Sequence, residues 1–341
     1  MKIEDKELNS ILLPRPAATP SKIEGEIYPR YIINPLKFNP MKQMILTLMA
    51  LLLVVSAAAQ PQRSKADVKK EKELVGAFVR IPENSFTMQD VYDDGTLGPE
   101  VEYKTAAFYM LETEVTNKAY NGFLNDLKAQ GRTDDYEKAR FRSENWYTPR
   151  SHSELARQYY DNYPAYELYP AVNVPYEGVV LFCQWLTEKV GNPEWVYELP
   201  SQIHWVWAAS GGKDGVPYSM GEPFLTARDG TPYYHYLHID DAWIARTDSG
   251  FQVVDLSYDM GVYLNTDSDI PYPAKSLRAN GYGLYNMCGN VAEMVSNPNM
   301  AVGGSWLDPG YDIRIYSTKE YTQPSPQIGF RVIARWVGRK D

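Results

Sequence analysis

Cysteine is scarce in this sequence: the chain of 341 residues contains two, Cys183 and Cys288. Two thiols cannot form a disulfide framework. Cys183 lies in the apolar run VVLFCQWL, where a free cysteine packs as a small hydrophobic side chain. We therefore expect a buried core thiol there.

A dense basic block is also absent. The chain has 34 lysine and arginine residues against 43 aspartate and glutamate residues, which gives a formal net charge of −9. Because binding to phosphates needs clustered Lys and Arg, nucleic acid is not expected as a partner. The acidity is compatible with calcium or a cationic partner. The 27 tyrosines are typical of extracytoplasmic proteins with polar, aromatic surfaces.

Residues 41–59, MKQMILTLMALLLVVSAAA, have the pattern of a secretory signal peptide: Lys42, an apolar run and an Ala-rich cleavage site. The run is too short for a typical membrane span. Export to the periplasm or the outer membrane is the expected localisation. Residues 1–40 are interpreted as an extension upstream of the true start at Met41, the alternative being a cytoplasmic tail before a signal anchor. The cleavage site has no cysteine that could carry a lipid, so any membrane association would be indirect.

After a charged stretch at 60–75, expected to be a mobile linker, residues 76–337 are predicted to form one domain. AFVRIPENSF and AAFYMLETEVT read as strands. Helices are predicted after Thr116, within PYEGVVLFCQWLTEKVG, and after Ser201. Short strands are expected in YGLYNM, AVGGSWL and GFRVIARW. The pattern predicts an α+β domain with few regular elements and many loops.

The order of several sequence blocks carries a family resemblance. FVRIPENSFTM, ETEVTNKAYNGFL, YPAVNVPYEGVVLFCQWLTEKVG, ELPSQIHWVWAASGG, NGYGLYNMCGNVAEMVS, VGGSWLD and IGFRVIAR follow one another. Together they resemble the formylglycine-generating enzyme, or sulfatase-modifying factor, domain over about residues 76–336. The resemblance implies a C-type-lectin-like α+β fold. One departure is His204, which replaces the glutamate of the family's helix-capping motif.

The family's catalytic thiols are missing. Active members oxidise a sulfatase cysteine to formylglycine with two cysteines that bind copper(I), a soft ion that prefers sulfur. The corresponding segment, GGSWLDPGYDIRIYSTKEYTQPSPQIGFR, has no cysteine, and Asp308 stands where the first thiol would fall. Because these thiols are missing, no copper is expected in this chain. An enzymatic alternative is a different metal held near Asp308, Tyr311 and Arg314.

A related branch of the family uses a three-histidine iron site. The chain has four histidines, and His235 and His238 are the only close pair. His152 and His204 are far from them in sequence. Ordinary loop histidines are therefore favoured over an iron site.

The block NMCGNVAEM corresponds to a calcium site in the family. The resemblance implies four ligands: the Asn286 side chain, the Gly289 and Val291 carbonyls, and the Glu293 carboxylate. Calcium takes six to eight hard oxygens of these kinds. The alternative is a turn in which Asn290 and Glu293 cap backbone groups. A second calcium site near Asp267 and Asp269 is left unassigned.

GNVAE followed by GGSWLDPGY is similar to the gliding-motility and type IX secretion lipoproteins of Bacteroidetes-type bacteria. The first hypothesis is therefore a non-catalytic, calcium-stabilised interaction or structural component of the cell envelope, with protein partners. The second is the oxidoreductase or other metal-dependent enzyme in the same cleft. The third is a saccharide-binding module with YYHYL and NWYTPR as aromatic platforms.

Overall fold

The computed structural model describes residues 62–91, 97–146, 153–239, 244–247, 250–253, 262–264 and 270–338. The predicted extension at 1–40 and signal peptide at 41–59 lie outside these ranges. The chain from Gln60 to Asp341 forms one compact unit. Within the described ranges, no helix is long and apolar enough to cross a membrane.

The stretch expected to be a mobile linker contains helix α1, Lys65–Leu74, so that prediction is wrong. Ser64 and Asp67 cap its first turn reciprocally. Glu71 is buried and accepts hydrogen bonds from the Arg63 guanidinium at 2.6 Å and from the Tyr197 hydroxyl. The charge-rich composition does not reveal that Glu71 is buried. Its hydrogen bond from Tyr197 joins the helix to the rest of the domain.

The first sheet is antiparallel and contains four strands in the order β1-β4-β14-β5. Its strands are β1 Phe78–Ile81, β4 Phe108–Leu111, β5 Trp195–Glu198 and β14 Ile333–Trp336. A long hairpin, β2 Asn84–Val91 with β3 Leu97–Thr105, follows β1. The C-terminal strand thus lies between strands from the first and middle thirds of the domain, and closes the sheet.

The three long helical predictions are confirmed. Helix α2, Asn117–Ala129, begins after Thr116, whose hydroxyl accepts from the Ala119 amide. Two short helices follow, α3 Thr133–Ala139 and α4 Ser153–Tyr159. Helix α5, Tyr176–Val190, ends at Gly191 with a φ of 75°, a left-handed conformation that glycine adopts without steric cost.

Helix α6, Gln202–Ala209, begins after Ser201, as predicted. The Ser201 hydroxyl accepts from the His204 amide, and the His204 ring nitrogen Nδ1 lies 2.8 Å from the same oxygen. The imidazole therefore contacts the capping hydroxyl, whereas the glutamate of a capping box bonds to the backbone amide of the N-cap residue. Single-turn 3₁₀ helices occur at Ser143–Asn145 and Pro164–Tyr166.

The second four-stranded sheet has the order β12-β11-β10-β13. Its strands are β10 Ala292–Met294, β11 Met300–Val302, β12 Thr318–Glu320 and β13 Ile328–Phe330, with β10 and β13 parallel. Two further pairs are β6 Leu237–Ile239 with β9 Val262–Leu264, and β7 Ile244–Thr247 with β8 Gly250–Val253. The architecture is the α+β arrangement of short elements that the sequence predicts.

The strand expected in YGLYNM does not form. The Asn280 side-chain oxygen accepts from the amides of Tyr282 and Leu284 and so holds this segment in a turn. Gly283 adopts a φ of 92° within it. An asparagine that bonds to the backbone two residues on competes with strand pairing in this way.

Two large apolar clusters form most of the core, and a smaller third cluster surrounds Trp146 and Tyr160. One packs α2 and α5 against the sheets around Tyr120, Phe123, Phe182 and Phe330. The other surrounds Trp205 on α6. Strand β10 contacts the first cluster through Ala292 and Met294. The segment expected to bind calcium therefore ends in the centre of the domain.

Candidate functional site

The loop of residues 286–291 leads into β10 with an unusual backbone. Asn286, Gly289 and Asn290 adopt φ values of 53°, 71° and 59°. A Cβ atom at Gly289 would lie 2.4 Å from the His235 carbonyl oxygen, so only glycine fits there. The loop is thus tightly wound against the His235 segment.

Glu293, the predicted calcium-binding carboxylate, is fully buried and bound to protein donors. The Arg331 guanidinium donates to it through Nη2 at 2.7 Å and through Nε at 3.1 Å. The Trp205 indole donates to its other oxygen at 2.7 Å. A bidentate pair of this kind neutralises the carboxylate within the protein.

A second buried carboxylate, Glu114, lies beside this pair. It accepts from the Asn290 amide at 2.8 Å and from the Asn286 amide at 3.3 Å. Arg331 Nη2 is 4.0 Å from the Glu114 oxygen that accepts from Asn286. Burial raises the pKa of Glu114 to about 8, despite the attraction of Arg331. The cluster therefore places two buried carboxyl groups beside one guanidinium group.

The predicted calcium ligands fit that ion only in part. The carbonyls of Gly289 and Val291 and the amide oxygen of Asn286 are hard donors of the type that calcium prefers. Glu293 is the one carboxylate of the set, and an ion bound to it would have to share it with Arg331. Calcium at this loop stays a prediction. The second candidate pair, Asp267 and Asp269, lies outside the described residues.

Asp308, which the family resemblance places at the missing thiol, belongs to a ring of polar groups. Its carboxylate accepts from the backbone amide and hydroxyl of Ser305 at 2.8 and 2.7 Å, and from the Lys319 ammonium at 2.7 and 3.0 Å. The Gln327 side-chain oxygen accepts from Lys319 and lies 3.2 Å from the Ser305 hydroxyl oxygen. The ammonium ion, a fixed positive charge, thus lies where a metal cation would have to approach Asp308.

Asp308, Tyr311 and Arg314, the residues of the enzymatic alternative, make separate contacts. Tyr311 is exposed, and Arg314 packs on its ring at 3.4 Å while donating to its carbonyl oxygen at 2.7 Å. Asp308 bonds instead to Ser305 and Lys319. Tyr311 and Arg314 thus form a surface cation–π pair.

Both cysteines are buried, which confirms the expectation for Cys183. Burial raises the pKa of Cys183 well above its ordinary value and that of Cys288 to about 12. Since the thiolate is the form that binds metals and reacts, neither residue presents a usable thiolate at neutral pH. Cys288 packs in the Trp205 cluster and points into the core.

The close histidine pair is divided by its surroundings. His235 is fully buried, its ring stacks on Tyr272 at 4.4 Å, and its Nε2 lies 2.9 Å from the Ile270 carbonyl. Burial lowers its pKa to about 4. His238 follows on β6, and His152 lies outside the described residues. His235 thus has the surroundings of a core histidine, which the sequence interpretation of a loop residue did not anticipate.

The two aromatic platforms suggested for a saccharide are largely inside the protein. Tyr234, Tyr236 and Trp146 are buried. The segment 147–150 lies outside the described residues. Exposed tyrosines occur instead at Tyr159 and Tyr163, whose rings are 5.9 Å apart. The sequence pattern did not separate core tyrosines from surface ones, because both occur in short loop segments.

Comparisons with known proteins identify the class to which this fold and site belong. Residues 64–336 match the family described as the Sulfatase-modifying factor enzyme 1-like domain, and the chain belongs to that family. The formylglycine-generating enzyme of Streptomyces coelicolor is 25% identical over 265 residues, which cover 68% of this chain and 70% of that enzyme.

Two solved structures are similar to this chain. The structure of PvdO from Pseudomonas aeruginosa has a TM-score of 0.50 at 19% identity, covering 82% of this chain and 100% of PvdO. The Treponema denticola variable protein 1 has a TM-score of 0.47 at 17% identity, covering 76% and 94%. The likeness to PvdO supports the fold that the family resemblance implies.

Proposed function

We propose that this chain is a non-catalytic member of the sulfatase-modifying factor family that serves as an interaction or structural component of the bacterial cell envelope. The observation that carries the proposal is the Asp308 ring, in which Lys319 and Ser305 occupy the carboxylate at the position of the family's first thiol. The segment from Gly303 to Arg331 contains no cysteine. Neither a copper(I) thiolate site nor a mixed disulfide with a substrate can form there.

The direct test is aerobic incubation of the purified mature protein with a cysteine peptide derived from a sulfatase, with and without copper(I). The relative from Streptomyces coelicolor serves as the positive control. We expect no aldehyde by mass spectrometry in either condition. Conversion of the peptide at one or more turnovers per chain would overturn the proposal.

The envelope location rests on the predicted signal peptide at 41–59 and on the similarity to gliding-motility and type IX secretion proteins. Fractionation of cells that express the full chain tests it. We expect the protein in the periplasmic or outer-membrane fraction, cleaved near Ala59. An uncleaved protein in the cytoplasm would contradict this part of the proposal.

Calcium binding at residues 286–293 is the structural part of the proposal. Calcium should raise the melting temperature of the chelator-treated protein, and Asn286→Ala should reduce that rise, because it removes a ligand outside the Arg331 pair. Asn297→Ala, on an exposed turn, is the matched control. A melting temperature that calcium does not change would rule out this site.

A further inference from the structure

A groove with a volume of about 810 Å³ lies between the end of α1, the first turns of α2 and the segment 273–275. This volume is in the range of pockets that hold ligands or short peptide segments. The family's thiol segment contributes none of its lining residues. The groove is therefore separate from the segment that contains Asp308.

The floor of the groove is apolar. Val75, Ala119 and Trp185 line it and belong to the first core cluster. Leu168 lies at its edge and is 57% exposed. A leucine that stays exposed beside an apolar floor is available for contact with an apolar side chain of a partner.

The rim carries an excess of one positive charge, although the chain as a whole is acidic. Four lysines line the groove, Lys72, Lys118, Lys189 and Lys275, against three carboxylates, whereas the whole chain has 34 basic and 43 acidic residues. Lys275 bonds to Glu112 at 2.7 Å and Lys189 lies 2.5 Å from Asp126. These two pairs neutralise most of the groove's own negative charge.

The other two lysines can accept a new partner. Lys118 pairs with Glu167 at 3.4 Å, and both side chains are about half exposed. Such a pair is worth about 0–1 kcal/mol and exchanges easily. Lys72, among the described residues, has no carboxylate within 4 Å. The first turn of α2, which carries the positive end of the helix dipole, also lines the groove.

We propose that this groove binds a short acidic peptide segment of a partner protein, with an apolar side chain on the floor and carboxylates at Lys72 and Lys118. The inference rests on the proposed function as an interaction domain and names the partner's chemistry. A neutral saccharide would leave the ammonium groups unused. A small inorganic anion would leave the apolar floor uncovered.

The test uses the full mature chain and fluorescent short peptides of three compositions: acidic with apolar residues, acidic without them, and basic with them. Binding is measured by anisotropy at low and at physiological salt. We expect the acidic–apolar peptides to bind most tightly, with an affinity that falls as salt rises.

Matched variants locate the binding site. Lys72→Glu/Lys118→Glu should weaken the acidic–apolar peptide about tenfold, whereas the control Lys104→Glu/Lys138→Glu changes the same charge elsewhere and should weaken it less than twofold. Leu168→Ser should weaken binding, and Leu155→Ser, equally exposed at 57%, should not.

Equal effects of both charge variants, or preference for the basic peptides, would overturn the groove proposal. So would the absence of binding at millimolar peptide. The peptide-oxidation assay is independent of these binding measurements, so the groove proposal can fail while the non-catalytic assignment stands. Conversely, oxidation of a sulfatase peptide by a protein that still binds acidic peptides would refute only the non-catalytic assignment.

Discussion

Two carboxylates in this domain, Glu293 and Asp308, are neutralised by a cation from the protein, but in different environments. The Glu293–Arg331 pair is fully buried, with both side chains at most 1% exposed. The Asp308–Lys319 pair is partly open, at 16% and 33%. The first pair lies at the centre of the fold, whereas the second lies in the segment where the family resemblance places the first thiol. Burial therefore determines how much stability each pair controls.

Arg331→Met should give the largest effect, because it leaves Glu293 buried without its counterion. We expect a loss of about 3–5 kcal/mol in the free energy of unfolding. Denaturant titration followed by circular dichroism measures it. Arg314→Met, which removes a guanidinium from the exposed ring of Tyr311, is the control and should cost about 1 kcal/mol or less.

A double variant separates lost charge balance from lost packing. Adding Glu293→Gln to Arg331→Met removes the uncompensated charge and should recover part of the stability. If the double variant is no more stable than Arg331→Met alone, charge neutralisation is not what the buried pair provides.

His235 should give a pH-dependent effect of intermediate size. Its pKa is about 4 in the folded protein, below the ordinary value of 6.5. As pH falls, His235 is therefore protonated in the unfolded chain before it is protonated in the folded protein. The stability that the neutral, buried ring contributes is fully present above pH 6.5 and is lost as pH falls toward 4. The maximum loss is about 3 kcal/mol. Melting temperatures between pH 7.5 and 5 should fall less steeply for His235→Gln than for the unaltered protein.

Two comparisons sharpen the histidine prediction. Asn297→Gln, on an exposed turn and without an ionisable group, should leave the slope unchanged. Equal slopes for the unaltered protein and His235→Gln would show that this ring does not govern acid stability.

Lys319→Met should have the smallest effect on folding. The pair with Asp308 is partly screened by solvent, so the loss should be about 1 kcal/mol. Thermal unfolding measures it against Lys118→Met, a still more exposed pair. A loss above about 3 kcal/mol would show that the partly exposed Asp308–Lys319 pair contributes as much stability as the buried Glu293–Arg331 pair.

The sequence predicted much of the scaffold, because local signals determine it. Thr116, Ser201 and Gly191 mark helix ends that the structure confirms. The α1 segment was misread because its buried partners, such as Tyr197, are more than a hundred residues away. The turn at Asn280 was misread as a strand because its side-chain bonds mimic a local backbone partner.

The site was predicted less completely. Asp308 and Glu293 were recognisable from the family motifs, but their cationic partners were not. Arg331 stands in the quoted IGFRVIAR block and Glu114 in ETEVTNKAYNGFL, yet nothing in the sequence joins positions 217 residues apart. Lys319 lies on β12, a strand that the sequence did not predict. These pairs become visible only in the folded structure, where β10 lies beside β13. Arg331 follows β13 directly and so comes close to Glu293 on β10.

The most direct measurement of the central claim is a competition titration with a copper(I) chelator. It compares the mature protein with the formylglycine-generating relative. The missing thiolates and the Lys319 ammonium at Asp308 predict that the chain removes no copper(I) from the chelator. A tight complex of one copper(I) per chain that is lost on Asp308→Ala would contradict the account.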